Sequence, residues 1–145
     1  FIAYNTSKKV NRYENVDASL YGVEVSGSAI ATDWLYFDYG VAYQRGEKDN
    51  PLANQKGTNM PEIPPLKFNI ASNFEFDNDL LLRAEIMGSD EWSDVDSENG
   101  EQKLDSYAVL NLKATQNIYK NFELTFGVDN VLDNTYAISN TYKDL

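Results

Sequence analysis

The chain has 145 residues, with 23 Asp and Glu against 12 Lys and Arg, and a formal charge of −11. That length allows one domain with a core of its own, and the acidic balance argues against a nucleic-acid partner, which needs clustered Lys and Arg. Cysteine and histidine are both absent, which removes disulfides, thiolate metal sites, Ser-His-Asp and Cys-His catalysis and the commonest general base.

Residues 21–30 place Tyr21, Val23, Val25, Gly27 and Ala29 against Gly22, Glu24, Ser26 and Ser28. Such a period of two predicts a β-strand. After a polar break at Thr32-Asp33, residues 35–46 set Leu35, Phe37, Tyr39, Val41 and Tyr43 against Tyr36, Asp38, Gly40, Ala42 and Gln44. The two segments predict an antiparallel hairpin. Residues 47–65 are polar, aperiodic and hold all four prolines. They predict a long loop, which Pro64-Pro65 closes in a form incompatible with helix.

Residues 66–76 carry the clearest pattern. Leu66, Phe68, Ile70, Ser72, Phe74 and Phe76 point one way, and Lys67, Asn69, Ala71, Asn73 and Glu75 the other. At ~3.3 Å per residue the segment spans roughly 33 Å, beyond the ~17–20 Å of a common soluble strand. A tilted strand crosses a bilayer in about 9–11 residues. Asp77-Asn78-Asp79 predicts a tight turn. Residues 80–88 return with Leu80, Leu82, Ala84 and Ile86 alternating with Leu81, Arg83, Glu85 and Met87. Residues 89–105 form a second long loop with Asp90, Glu91, Asp94, Asp96, Glu98, Glu101 and Asp105. Two further strands, 107–117 and 122–131, turn at Tyr119-Lys120-Asn121.

The reading is all-β: an antiparallel up-and-down meander of about six or seven strands, whose connections alternate between short and long. Short turns then gather at one end and long loops at the other, as in outer-membrane barrels with short periplasmic turns. A soluble barrel or sandwich that binds a small ligand is the alternative. The discriminator is one face, made of Tyr21, Val23, Leu35, Phe37, Tyr39, Phe68, Ile70, Phe74, Leu110, Leu112, Leu124 and Phe126. In a membrane barrel it is outward and exposed; in a soluble one it is buried. Trp34, Tyr36, Tyr119 and Phe122 at the short-turn end, with Tyr13, Tyr21, Tyr43 and Tyr107 toward the long loops, have the placement of two aromatic girdles. Gly22, Gly40 and Gly127 fall on the polar faces, where they relieve crowding or mark bends.

Four segments carry a resemblance to a family. They are Asn15-Val16-Asp17-Ala18-Ser19-Leu20-Tyr21-Gly22-Val23-Glu24, Met60-Pro61-Glu62-Ile63-Pro64-Pro65, Tyr107-Ala108-Val109-Leu110-Asn111-Leu112, and Gly127-Val128-Asp129-Asn130-Val131-Leu132-Asp133-Asn134-Thr135-Tyr136-Ala137. In this order they resemble the C-terminal part of TonB-dependent outer-membrane receptors. The resemblance implies a plugged barrel of about 22 strands, in the cell outer membrane of a Gram-negative bacterium, importing a scarce solute with energy from the TonB complex. A ferric siderophore is the default solute; copper, cobalamin or another metal complex is the alternative. Residues 1–145 would be one C-terminal barrel segment. The chain is read as starting in mid-strand, with the plug, the TonB-box, most strands and the last strand outside it.

In that setting the chain supplies wall and extracellular loops, and contacts TonB only through parts of the receptor elsewhere. Its partners are outer-membrane lipid and the solute. The expected solute contacts lie in the loops, at Trp92, Glu91, Asp94, Asn59 and Met60. No catalytic residue, cofactor or resident metal is expected, and the protein is not read as an enzyme. The acidic loop has oxygens enough for Ca²⁺, which takes about six to eight, but lacks EF-hand spacing. It is therefore read as a solvated loop. The Asx residues at 129–134 are read as structural, bonding nearby backbone.

Overall fold

The computed structural model describes residues 2–5, 10–13 and 15–139. A short antiparallel pair, β1 (Ile2–Asn5) and β2 (Val10–Tyr13), precedes the main sheet. That sheet contains β3 (Ala18–Thr32), β4 (Leu35–Lys48), β5 (Lys67–Glu75), β6 (Leu80–Ser89), β7 (Tyr107–Tyr119) and β8 (Phe122–Val128). The strands lie in sequence order, each antiparallel to the next. All six predicted strands are present. The only helical element among the described residues is a single 3₁₀ turn, Ser97–Asn99.

The register decides the faces. Tyr39 stands opposite Ile70, Ile70 opposite Ile86, and Ile86 opposite Leu110. Leu35 stands opposite Phe74, then Leu82, Ala114 and Phe126 follow across the sheet. The predicted apolar set therefore shares one face. Val23 is 61% exposed, Ile70 53% and Phe126 68%. Side chains buried on the sheet lie on the other face: Ala71, Asn73 and Val109. The apolar side is thus the open face of the sheet, and the polar side the more covered one. A continuous apolar face of this size is abnormal for a soluble monomer. A closed soluble barrel or a sandwich built by these strands would bury these residues instead.

Two members of the expected girdles are corrected by the same register. Tyr36 pairs with Asn73 and Tyr107 with Ser89, so both belong to the inner face. Tyr107 stacks there on Tyr136 with ring centroids 4.5 Å apart. The outward aromatics are Tyr21 and Tyr43 toward the long loops, and Trp34, Tyr119 and Phe122 at the turns. Trp34 stacks on Phe74 at 6.2 Å. The Tyr13 side chain lies outside the described residues.

Short connections are tight. Asp79 takes a left-handed φ of 60°, its N–H donates to Phe76 O at 3.0 Å, and Phe76 N–H donates to Leu80 O at 2.9 Å. Asp tolerates that conformation because its short side chain bonds locally. β8 ends at Val128, three residues before the predicted end at 131. Asn130 and Asp133 have φ values of 50° and 53°, which breaks the extended run. The following segment then completes the bonding of β7: Val131 N–H donates to Leu110 O at 2.8 Å and Asn134 Nδ2 to Ala108 O at 2.8 Å. Asn111 Oδ1 accepts from Asn130 N–H at 2.9 Å. This is how a strand edge avoids unpaired carbonyls after its partner has ended.

Candidate functional site

At the long-loop end, the two loops fold onto each other. β4 outlasts β5, so its upper edge is free to take the first loop. Lys48 N–H donates to Thr58 O at 2.6 Å, Met60 N–H to Gly46 O at 3.1 Å, and Glu47 bridges Asn59. The second loop closes on itself, with Trp92 N–H donating to Leu104 O at 2.8 Å.

Between the loops, polar contacts dominate. Lys48 Nζ donates to Asp96 Oδ2 at 2.7 Å, and both side chains are buried. Asn99 Nδ2 also donates to Asp96, at 2.8 Å, and exchanges two bonds with Gln55, at 3.0 and 3.2 Å. Glu98 Oε2 accepts the backbone N–H groups of Lys56 and Gly57, at 2.9 and 2.6 Å. These donors hold its carboxyl below the ordinary carboxylate value. Glu101 accepts from Glu62 N–H at 2.5 Å and from Asp96 N–H at 2.7 Å. Arg45 pairs with both Glu47 and Asp94. Leu52 in the first loop and Trp92 and Val95 in the second are buried.

The second loop is therefore not simply solvated: Asp94, Asp96, Glu98 and Glu101 hold the cap together. Among the described residues, no group of three or more carboxylates is arranged to hold a metal ion. This packing gives the five expected contact residues different surroundings. Trp92 is buried, and its Nε1–H has no acceptor among the described residues. Asp94 is turned to Arg45, Asn59 donates to Val95 O at 3.3 Å, and Met60 is half-buried over Gly46. Glu91 is exposed. A cleft of about 190 Å³ at the base of the cap brings Trp92, Glu91 and Asp94 to the same wall as Tyr43, Arg45 and Pro65.

A second cluster lies on the inner face of the sheet. Arg83 donates to Asp38 Oδ2 at 2.7 Å, Asn73 Oδ1 at 2.9 Å and Glu85 Oε1 at 2.8 Å. Ser28 and Asn73 each donate to Asp38, at 2.7 and 2.9 Å. The network ties four strands, β3 to β6, across the polar side. Alternation placed each of these residues on that face. Their meeting required the pairings Ser28 to Asp38 and Asn73 to Arg83, which alternation does not specify.

Comparison with known proteins agrees with this architecture. The family described as TonB dependent receptor-like, beta-barrel, matches residues 1–131. No curated protein matches the chain. Among solved structures the chain is similar to one titled Copper transporter OprC, with a TM-score of 0.80 and 22% identity. That match covers 94% of this chain and 21% of the other, so the chain spans about a fifth of that protein's length. An outward apolar face, a polar inner face, polarised loops and a family match over most of its length lead to one assignment: the chain belongs to the TonB-dependent receptor β-barrel family, whose place is the outer membrane of Gram-negative bacteria.

Proposed function

We propose that this segment is part of the wall and extracellular mouth of an importer that takes a scarce metal-bearing solute across the outer membrane, energised by the TonB complex through other parts of the receptor. The observation that carries the reading is the folded cap, built by both long loops at one end of a sheet whose outer face is apolar. Loops held on a rigid scaffold are where binding function concentrates. The mechanism is capture and passage, with no covalent step.

A ferric siderophore is the family's commonest solute. A second reading, a copper species or another cationic or neutral metal complex, has a specific observation in its favour. The second loop has seven carboxylates and a single lysine, Lys103. At long range this field repels an anionic ferric complex and attracts a cation. Similarity to a protein titled as a copper transporter points the same way. Growth of a receptor-deletion strain on single metal sources, paired with metal uptake by the intact receptor, tests both. Loss of copper uptake alone selects the second reading, and loss of ferric-siderophore uptake alone selects the first. Unchanged uptake of every solute overturns the importer reading.

A further inference from the structure

The outer face is not uniform. Ala84 on β6 and Ala114 on β7 form the floor of a groove of about 380 Å³, walled by Phe74, Leu82, Leu112 and Phe126. Register explains it. Ala114 stands between Leu82 and Phe126, and Ala84 stands opposite Leu112. Two small side chains thus sit diagonally among large ones, and the surface sinks between them. Arg83 and Lys113 also border the groove, but alternation sends their side chains to the inner face. The outer face at this place is hydrocarbon.

Its height is informative. Leu82 lies two residues inside the start of β6 at Leu80, so the groove is in the half of the sheet nearest the short turns. Those turns are periplasmic in an outer-membrane barrel. From Ala114 to Lys120 the chain runs ~20 Å along the strand at ~3.3 Å per residue. A tilt of about 45° reduces that to roughly half of a ~30 Å hydrocarbon core. Ala114 is then near the bilayer midplane, and Lys120 at the headgroup level. Lys120 is exposed at the β7–β8 turn. Within the six-stranded sheet, the other two short turns carry acids and no base, Asp33 in one and Asp77 and Asp79 in the other.

We propose that this groove is a binding site for one glycerophospholipid of the periplasmic leaflet. One acyl chain lies over Ala84 and Ala114, and the phosphate meets the Lys120 ammonium. The groove is continuous with the lipid-facing surface, and Lys120, in the one basic turn among the short turns of the six-stranded sheet, lies at the end of the strands that form it. Both observations commit the site to a phosphate-headed lipid with its tail toward the midplane. The proposal rests on the outward face being lipid-facing, and it is independent of which solute is imported.

Native mass spectrometry of the whole receptor, extracted in mild detergent and titrated with phosphatidylglycerol, tests it. The wild type should retain one phospholipid preferentially. The double variant Ala84→Phe/Ala114→Phe fills the groove and should lower that occupancy by about tenfold, the factor that corresponds to ~1.4 kcal/mol. Lys120→Glu should lower it too, while Val25→Phe, on the same face away from the groove, should not. Heat-modifiable migration reports whether each variant has folded. If the double variant does not fold, Ala84→Leu alone should still weaken retention. Equal occupancy in wild type and filled variants overturns the site. So does a retained lipopolysaccharide, or a dimer in place of lipid.

Discussion

Lys48 and Asp96, 48 positions apart in the sequence, meet at 2.7 Å with both side chains out of solvent. One comes from the top of β4 and the other from the second long loop, so this contact joins the two halves of the cap. Removing one partner of a buried pair strands the other charge, which costs about 3–5 kcal/mol, whereas replacing both by apolar groups is often near neutral. Asp96→Ala should therefore release the first loop as well as the second. Trypsin applied to the whole receptor in outer-membrane vesicles should cut at Lys56 and Lys103 together. Lys48→Met/Asp96→Leu should restore much of the resistance. Cleavage at Lys103 alone would show that the loops are independent.

Glu98 predicts a pH dependence. Two backbone N–H groups hold its carboxyl below the ordinary value, so it binds fewer protons in the folded cap than in an open one. A depressed carboxyl stabilises above its ordinary value and loses that contribution as pH falls through the lowered folded value. Hydrogen exchange at the Lys56 and Gly57 amides should be slow near neutrality and accelerate at pH below about 4, relative to their intrinsic rates. Glu98→Gln should flatten the dependence. A dependence unchanged in that variant would assign it elsewhere.

The outer face predicts asymmetric tolerance of charge. Ile70→Arg places a cation among Tyr39, Ile86 and the lipid, and should cost roughly 2–4 kcal/mol if it lies near the bilayer midplane. Thr125→Arg, on the inner face, should be nearly neutral. Urea titrations of the whole receptor folded into vesicles measure both. Ile70 is 53% exposed, so a soluble protein would tolerate the change there, and equal tolerance would contradict the membrane orientation.

The inner network predicts that Arg83 is not replaceable by Lys. Its guanidinium serves Asp38, Asn73 and Glu85 at once through two nitrogens. An ammonium is a compact point charge without that planar fork. Arg83→Lys should lose part of each bond and destabilise the sheet by about 1.5–3 kcal/mol, the range for hydrogen bonds to charged groups. The same unfolding titration reads it. Wild-type stability in the lysine variant would mean that charge alone suffices.

A tight packing point lies on the outer face. Gly88 is covered by the Phe68 ring, and a Cβ there would clash with Tyr107 O and fall 3.0 Å from the ring. Gly88→Val should force β6 away from β7 and cost on the order of 1–3 kcal/mol, as overpacking does. Gly127→Ala, where a Cβ would meet only Leu112 O at 3.7 Å, should be mild. Equal effects of the two would refute the packing argument.

Sequence alone determined the strands, their order and which face of each is apolar. Those properties are local: a period of two over ten residues, as in the segment from Leu66 to Phe76, survives any neighbour. Alternating connection lengths were equally legible, because Pro64-Pro65 and Asp77-Asn78-Asp79 punctuate the chain by their own backbone preferences. Only the tertiary structure decided the rest. Which face is covered depends on cross-strand contacts such as those of Arg83 with Asp38 and Asn73, and these follow from how the strands pair. Tyr36 and Tyr107 lie near strand ends, where girdle aromatics gather, but alternation and register turn both to the inner face. Above all, the cap was hidden. Lys48, Gln55, Glu98 and Asn99 look like separate solvated groups in the sequence, and polar loops carry no periodicity from which a partner can be read. Their bonds exist because β4 to β7 bring the two loop stems to one end of the sheet, and long-range contacts of this kind have no local signal.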